Sequence, residues 1–148
     1  MLMDLFYDSI SVHSKERVHF NKFMLEIHDS IHQHTERLKR SGLSPQEMRR
    51  HDPIPAISLE IARSSRVLCF DEFQVTDIVD AVLLNRLFTA LFYYGTVCVA
   101  TSNREPAALY MNGLQRQQVF VPFLDLFCRK MKVFTLCGKQ QNLFMETD

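Results

Sequence analysis

Two adjacent carboxylates, Asp71 and Glu72, follow the apolar run Val67-Leu68-Cys69-Phe70. Phosphoryl transfer needs Mg²⁺ to neutralise phosphate charge and a group that orients the attacking water. Asp71 suits the first task, holding the cation largely through water, because Mg²⁺ keeps much of its hydration shell. Glu72 suits the second, as a general base contributing about 10²–10⁴-fold. The plainer reading is a strand end followed by acidic loop residues. Asn103 closes a second run, Val97-Cys98-Val99-Ala100-Thr101-Ser102. Its amide can hydrogen-bond a water or a phosphate without adding charge; it can also be an ordinary turn residue. His28 and His32 stand i, i+4, with His34 nearby, yet residue 29 is Asp and no third ligand is evident. A polar helix face is expected there rather than a metal site.

The elements that position these groups follow from periodicity. A short continuous apolar run reads as a strand buried on both faces of a parallel sheet. In such sheets ligands sit beyond the carboxyl ends of the strands, which is where both runs deliver their polar residues. The spacing predicts a helix over 1–13 with Leu2, Leu5, Phe6 and Ile10 on its buried stripe, and a strand over 17–23. A helix over 24–40 follows, stopped by Ser41-Gly42, then a helical turn at Ser44-Pro45. Asp52-Pro53-Ile54-Pro55 predicts an extended entry to a helix over 56–63. Strands are predicted at 66–72 and 96–102, separated by a helix capped by Thr76 and ended by Gly95. Helices are expected at 106–111 and 116–130, and a last short strand at 133–136. Alternating helices and strands give an α/β fold, a parallel sheet with helices on both faces and right-handed crossovers.

Composition narrows the function classes. The chain has 148 residues, 47% hydrophobic, with twelve Phe, enough for a packed core. Lys plus Arg equals Asp plus Glu at 17 each, so no basic excess marks a nucleic-acid partner. No apolar stretch is long enough to span a bilayer as a helix. Cys69, Cys98, Cys128 and Cys137 include no C-x-x-C pair, so disulfides and structural zinc are not expected. The basic residues Arg37, Lys39, Arg40, Arg49 and Arg50 read as a solvated face. The amino-terminal helix lacks a capping residue ahead of it, which predicts further sequence upstream.

The segment Leu68-Cys69-Phe70-Asp71-Glu72-Phe73-Gln74-Val75-Thr76-Asp77-Ile78 is distinctive. So are Val99-Ala100-Thr101-Ser102-Asn103-Arg104-Glu105-Pro106, Leu109-Tyr110-Met111-Asn112-Gly113-Leu114-Gln115-Arg116 and Phe120-Val121-Pro122-Phe123. Together with Met3–Tyr7 and Arg17–Met24 they resemble the AFG-type AAA+ ATPases over about residues 1–136. The resemblance implies a P-loop NTPase fold in which Asp71 and Glu72 form the Walker B end and Asn103 is sensor 1. It implies ATP and Mg²⁺ as ligands, protein substrates, and a homo-oligomeric ring. The location implied is mitochondrial for a eukaryotic source and cytoplasmic for a bacterial one. Arg116 is the candidate arginine finger toward a neighbouring subunit, a role worth about 10³–10⁵-fold. Its alternative is a solvated helix arginine, with Arg104 as the substitute finger.

The chain departs from that pattern in two ways. The family's G-x-x-G-x-G-K-T phosphate loop should stand immediately before Met1, so the first strand and the phosphate loop are missing. One extra residue also separates Arg116 from Phe120. The expected organisation is a partial AAA+ domain over 1–137 and an irregular tail over 138–148, as in an interior fragment or short isoform. By the implied strand order, 96–102 keeps an unpaired edge and 133–136 loses its neighbour. The chain is expected to carry part of a Mg²⁺-dependent ATPase while binding ATP poorly itself. The competing expectation is a non-catalytic fragment that associates with full-length subunits.

Overall fold

The computed structural model describes residues 2–48 and 50–136. The tail expected at 138–148, Cys137 and Arg49 lie outside the described residues. Among the described residues the sheet has three parallel strands in the order β1 (Lys15–His19), β2 (Val67–Asp71), β3 (Val97–Ala100). His19 stands opposite Asp71, and Phe70 opposite Ala100, so the carboxyl ends are level. The central strand β2 is buried from Val67 to Phe70, as its unbroken apolar run requires.

One face of the sheet carries most of the core. Val18, Leu68 and Phe70 pack against α2 (Phe20–Arg40), α4 (Ile54–Ser64), α5 (Ile78–Tyr93) and α7 (Val121–Lys130). The other face, with Val67 and Cys69, is covered by Met3, Phe6, Tyr7 and Ile10 of α1 (Leu2–Ser9) and its end. The architecture is the expected α/β parallel sheet with helices on both faces. Among the described residues no helix is long and apolar enough to cross a membrane.

Several boundaries differ from the sequence expectation, each for a local reason. The strand expected over 17–23 ends at His19. Phe20, Phe23, Met24 and Ile27 have i, i+3, i+4, i+7 spacing, and a helix buries all four, whereas a strand would turn Phe23 outward. The stripe of α1 is rotated: Leu2 and Leu5 are 47% and 66% exposed. Tyr7 Oη donates to the Lys15 carbonyl, and Lys15 Nζ donates to the Tyr7 carbonyl at 2.5 Å, which swings that side of the helix toward β1. Helix α4 starts at Ile54 rather than after Pro55, because proline is tolerated in a first turn that has no partner for its N–H. Asp77, not Thr76, caps α5 by accepting from the Val79 N–H at 2.7 Å.

Gly95 ends α5 in the left-handed region at φ 83°. The Thr96 N–H bonds the Leu91 carbonyl and the Gly95 N–H that of Phe92, a Schellman cap leading straight into β3. Pro106–Ala108 is a 3₁₀ turn, shorter than the helix expected at 106–111. The helix expected over 116–130 is broken at Phe120 into α6 (Arg116–Val119) and α7, with Pro122 in the first turn of α7. Residues 133–136 form no strand. Among the described residues the outer edge of β3 has no partner, and Val97 on it is 56% exposed. The short α3 (Pro45–Met48) fills the expected turn, with the Ser44 hydroxyl and Glu47 bonding each other across it.

Candidate active site

The site is built from how β2 ends. Asp71 is the last residue of the strand, and its side chain is 16% exposed. Two residues later Phe73 is back in the core at 2% exposure, its ring 4.0 Å from that of Phe20 and 5.4 Å from that of Phe127. Phe88 and Phe123 complete its surroundings. With both neighbours fixed, Glu72 spans the gap in the left-handed region, φ 54°. A non-glycine residue there costs about 1–2 kcal/mol. The strain is held by packing on either side, and it turns the Glu72 carboxylate out to solvent.

The end of β3 is laced to this turn. The Thr101 N–H donates to the Phe70 carbonyl at 2.9 Å, and the Phe73 N–H donates to the Thr101 carbonyl at 2.8 Å. Ser102 Oγ donates to the Phe73 carbonyl at 2.8 Å and accepts from the Arg104 N–H at 3.2 Å. Asn103 sits on top of this lacing, exposed. Asp71 follows Phe70 and Asn103 follows Ala100 by three residues, so both lie at the same ends of paired strands. The fold thus gathers Asp71, Glu72 and Asn103 at one rim.

Two charged residues that the sequence reading did not assign to the site join it. Arg17 of β1 donates from Nε to Asp71 Oδ2 at 2.6 Å and pairs through Nη1 with Asp4 of α1. The Asp71 carboxylate first, and Asp4 after it, raise the Arg17 guanidinium above its ordinary value. The signal was present: in a strand adjacent to and parallel with β2, alternate residues face the same side as Asp71, and Arg17 is one of them. Phe73, within the distinctive segment Leu68–Ile78, anchors the turn in the core.

The donors are hard oxygens, from two carboxylates and one amide, which suits a hard divalent cation such as Mg²⁺. Among the described residues no three His, Cys, Asp or Glu side chains cluster closely enough to form a metal cage. A cation here would complete its shell with water and phosphate oxygens, the habit of Mg²⁺. His28 Nε2 lies 2.6 Å from Asp80 Oδ1, joining α2 to α5. Burial pushes the Cys98 thiol up to about 12 and raises that of Cys69, in keeping with thiols that act as small apolar groups.

Arg116 is half-buried, and its contacts come from its own neighbourhood. Its Nη2 donates to the Ala107 carbonyl at 2.8 Å, and its guanidinium lies 5.6 Å from the Phe120 ring centre. Arg104 is exposed. Gly113 in the same region admits the Tyr110 ring where any Cβ would collide, and Tyr110 Oη donates to the Leu114 carbonyl at 3.1 Å.

Comparison with known proteins finds relatives. A family profile described as AFG1-like ATPase matches residues 1–141. Lactation elevated protein 1 homolog B of Danio rerio is 48% identical over 138 residues, covering 91% of this chain and 27% of that protein. An uncharacterized protein of Schizosaccharomyces pombe is 43% identical over 137 residues, 91% of this chain and 28% of that protein. The cell division protein ZapE of Escherichia coli is 44% identical over 124 residues, 84% of this chain and 29% of that protein. The chain therefore spans under a third of the length of these relatives. No solved structure matches it.

Proposed function

The chain belongs to the AFG1-like ATPase family, and from that premise we propose that it carries the water-activating corner of a Mg²⁺-dependent AAA+ ATPase. The observation that carries this reading is the pinned turn at the end of β2, which presents Asp71 and Glu72 beside Asn103. Asp71 would hold Mg²⁺, largely through water, and the ion supplies neutralisation of phosphate charge when bound. Glu72 accepts the proton of the attacking water as its oxygen bonds the terminal phosphorus and the bond to the ADP oxygen breaks. Asn103 donates its amide N–H to the terminal phosphate and accepts from the water. Thus Asp71 is the Walker B carboxylate and Asn103 the sensor 1 residue.

Arg116 is the proposed finger toward a neighbouring subunit of a homo-oligomeric ring, with Arg104 as its substitute. To act there, Arg116 must leave the Ala107 carbonyl. Residues 1–137 are proposed to form one partial AAA+ domain. The larger protein is proposed to act on protein partners, in mitochondria for a eukaryotic source or in the cytoplasm for a bacterial one. Relatives in zebrafish and E. coli are compatible with either origin.

Among the described residues there is no glycine-rich loop and lysine to cradle phosphates. The chain alone is therefore expected to bind ATP weaker than about 1 mM. Joined behind the strand and phosphate loop of a full-length relative, it is expected to turn ATP over in Mg²⁺. Isothermal titration and a phosphate-release assay check both arms. Micromolar, Mg²⁺-dependent binding by the chain alone would overturn the impairment, and an inert but folded fusion would overturn the ATPase role. The second reading, a non-catalytic fragment that associates with full-length subunits, is favoured by the unpaired β3 edge, since open edges recruit further strands. It predicts altered turnover when the chain is added in excess to a full-length relative, and unaltered turnover argues against it.

A further inference from the structure

Arg17 is placed to control the charge of the cation-binding carboxylate. Its fork reaches two acids at once: Nε holds Asp71 Oδ2 at 2.6 Å, and Nη1 holds Asp4, which belongs to the helix across the sheet face. The Arg17 and Asp71 side chains are only 31% and 16% exposed, so solvent screens the pair incompletely. A planar guanidinium bound at two of its nitrogens is fixed in place more firmly than a lysine ammonium would be. One of the two Asp71 oxygens is therefore already spent.

We propose that Arg17 is a positioning residue that holds Asp71 partly compensated against a bare divalent cation and yields it to a cation that arrives with phosphate. This rests on the reading of Asp71 as the cation-holding carboxylate. A hydrated cation approaching alone meets a carboxylate that already shares the Arg17 guanidinium with Asp4, and that guanidinium repels it. A cation accompanied by polyphosphate brings negative charge of its own. The phosphates replace Asp71 as partner for the guanidinium, so repulsion becomes attraction. The same two pairs orient Asp71 and tie α1 to the strand ends, so the α1 face senses whether the carboxylate is engaged.

If the cation does not meet Asp71, removing the pair leaves cation affinity unchanged. The probe is Mn²⁺ without nucleotide, titrated into the 148-residue chain and followed by its electron paramagnetic resonance signal. Arg17→Gln is expected to bind Mn²⁺ about tenfold more tightly than the unaltered chain, the effect of releasing one partly screened charge pair. Arg17→Lys, which keeps the charge and loses the fork, is expected about threefold tighter. Circular dichroism establishes that each variant is folded, and if Arg17→Gln is not, Arg17→Lys decides. Affinity equal to or below that of the unaltered chain rejects the proposal. Adding Asp71→Asn to Arg17→Gln tests the reading beneath it: loss of Mn²⁺ binding keeps Asp71 as the cation ligand. Retained binding rejects that reading and the proposal together, an outcome distinct from a missing gain in Arg17→Gln alone.

Discussion

Replacing the residue equivalent to Glu72 by Gln in a full-length relative is expected to lower ATP turnover by about 10²–10⁴-fold. Gln keeps the size of the side chain and the left-handed turn, and it can still hydrogen-bond a water. What it loses is the capacity to take a proton as the water attacks. ATP affinity should stay within about twofold, because an interaction formed only in the transition state lowers the rate constant without weakening binding. The comparison is made by steady-state turnover alongside equilibrium nucleotide binding. Equal losses in both would mean that Glu72 shapes the pocket rather than performing proton transfer. The geometry argues against a shaping role: Glu72 is exposed, and the turn is held by Phe73 and Thr101 on either side.

Phe70→Ala is expected to destabilise the chain by about 3–5 kcal/mol, the range for emptying a fully buried aromatic site. Phe70 is 0% exposed and meets Phe23 at 4.9 Å, Phe20 at 5.7 Å, Phe88 at 5.9 Å and Phe73 at 6.3 Å between ring centres. It joins β2 to α2 and α5, so no single neighbour can collapse into its place. Domains of this size have about 5–15 kcal/mol in total, and the variant should lose much of its urea resistance. Leu25→Ala is the control, since Leu25 is 69% exposed on α2, and its effect should stay within about 0.5 kcal/mol. Similar midpoints for the two variants would contradict the placement of the core. Because Phe70 precedes the acidic doublet, a folded remnant of the variant should also hold the turn less firmly.

The candidate site's framework was legible in the sequence where one residue type had one available use. The unbroken run Val67–Phe70 read as a buried strand of a parallel sheet, and its chain direction put Asp71 and Glu72 at its carboxyl end. The cysteines lacked metal spacing, and the structure keeps Cys69 and Cys98 as apolar filling. Legibility failed where two periods overlap. Val18 and Phe20 alternate like a strand, while Phe20, Phe23 and Met24 repeat like a helix, and the sequence alone does not say where one period yields. The rotation of α1 was hidden because it depends on Lys15 and Arg17, residues of a different element. For the same reason the Arg17–Asp71 pair had no local signature: it spans 54 positions along the chain. Arg116 shows the converse, a residue singled out for its type whose present partners, Ala107 and Phe120, come from its own neighbourhood.

The strand-end carboxylates are where a divalent cation is proposed to meet the protein. Paramagnetic broadening by Mn²⁺ reports this even when binding is weak, through the backbone amide signals of the isotope-labelled chain. The amides of Asp71, Glu72 and Phe73 and those from Ser102 to Arg104 should broaden first and together, and Asp71→Asn should abolish the effect. Broadening centred instead on His28 and Asp80, or spread evenly over the surface carboxylates, would contradict it.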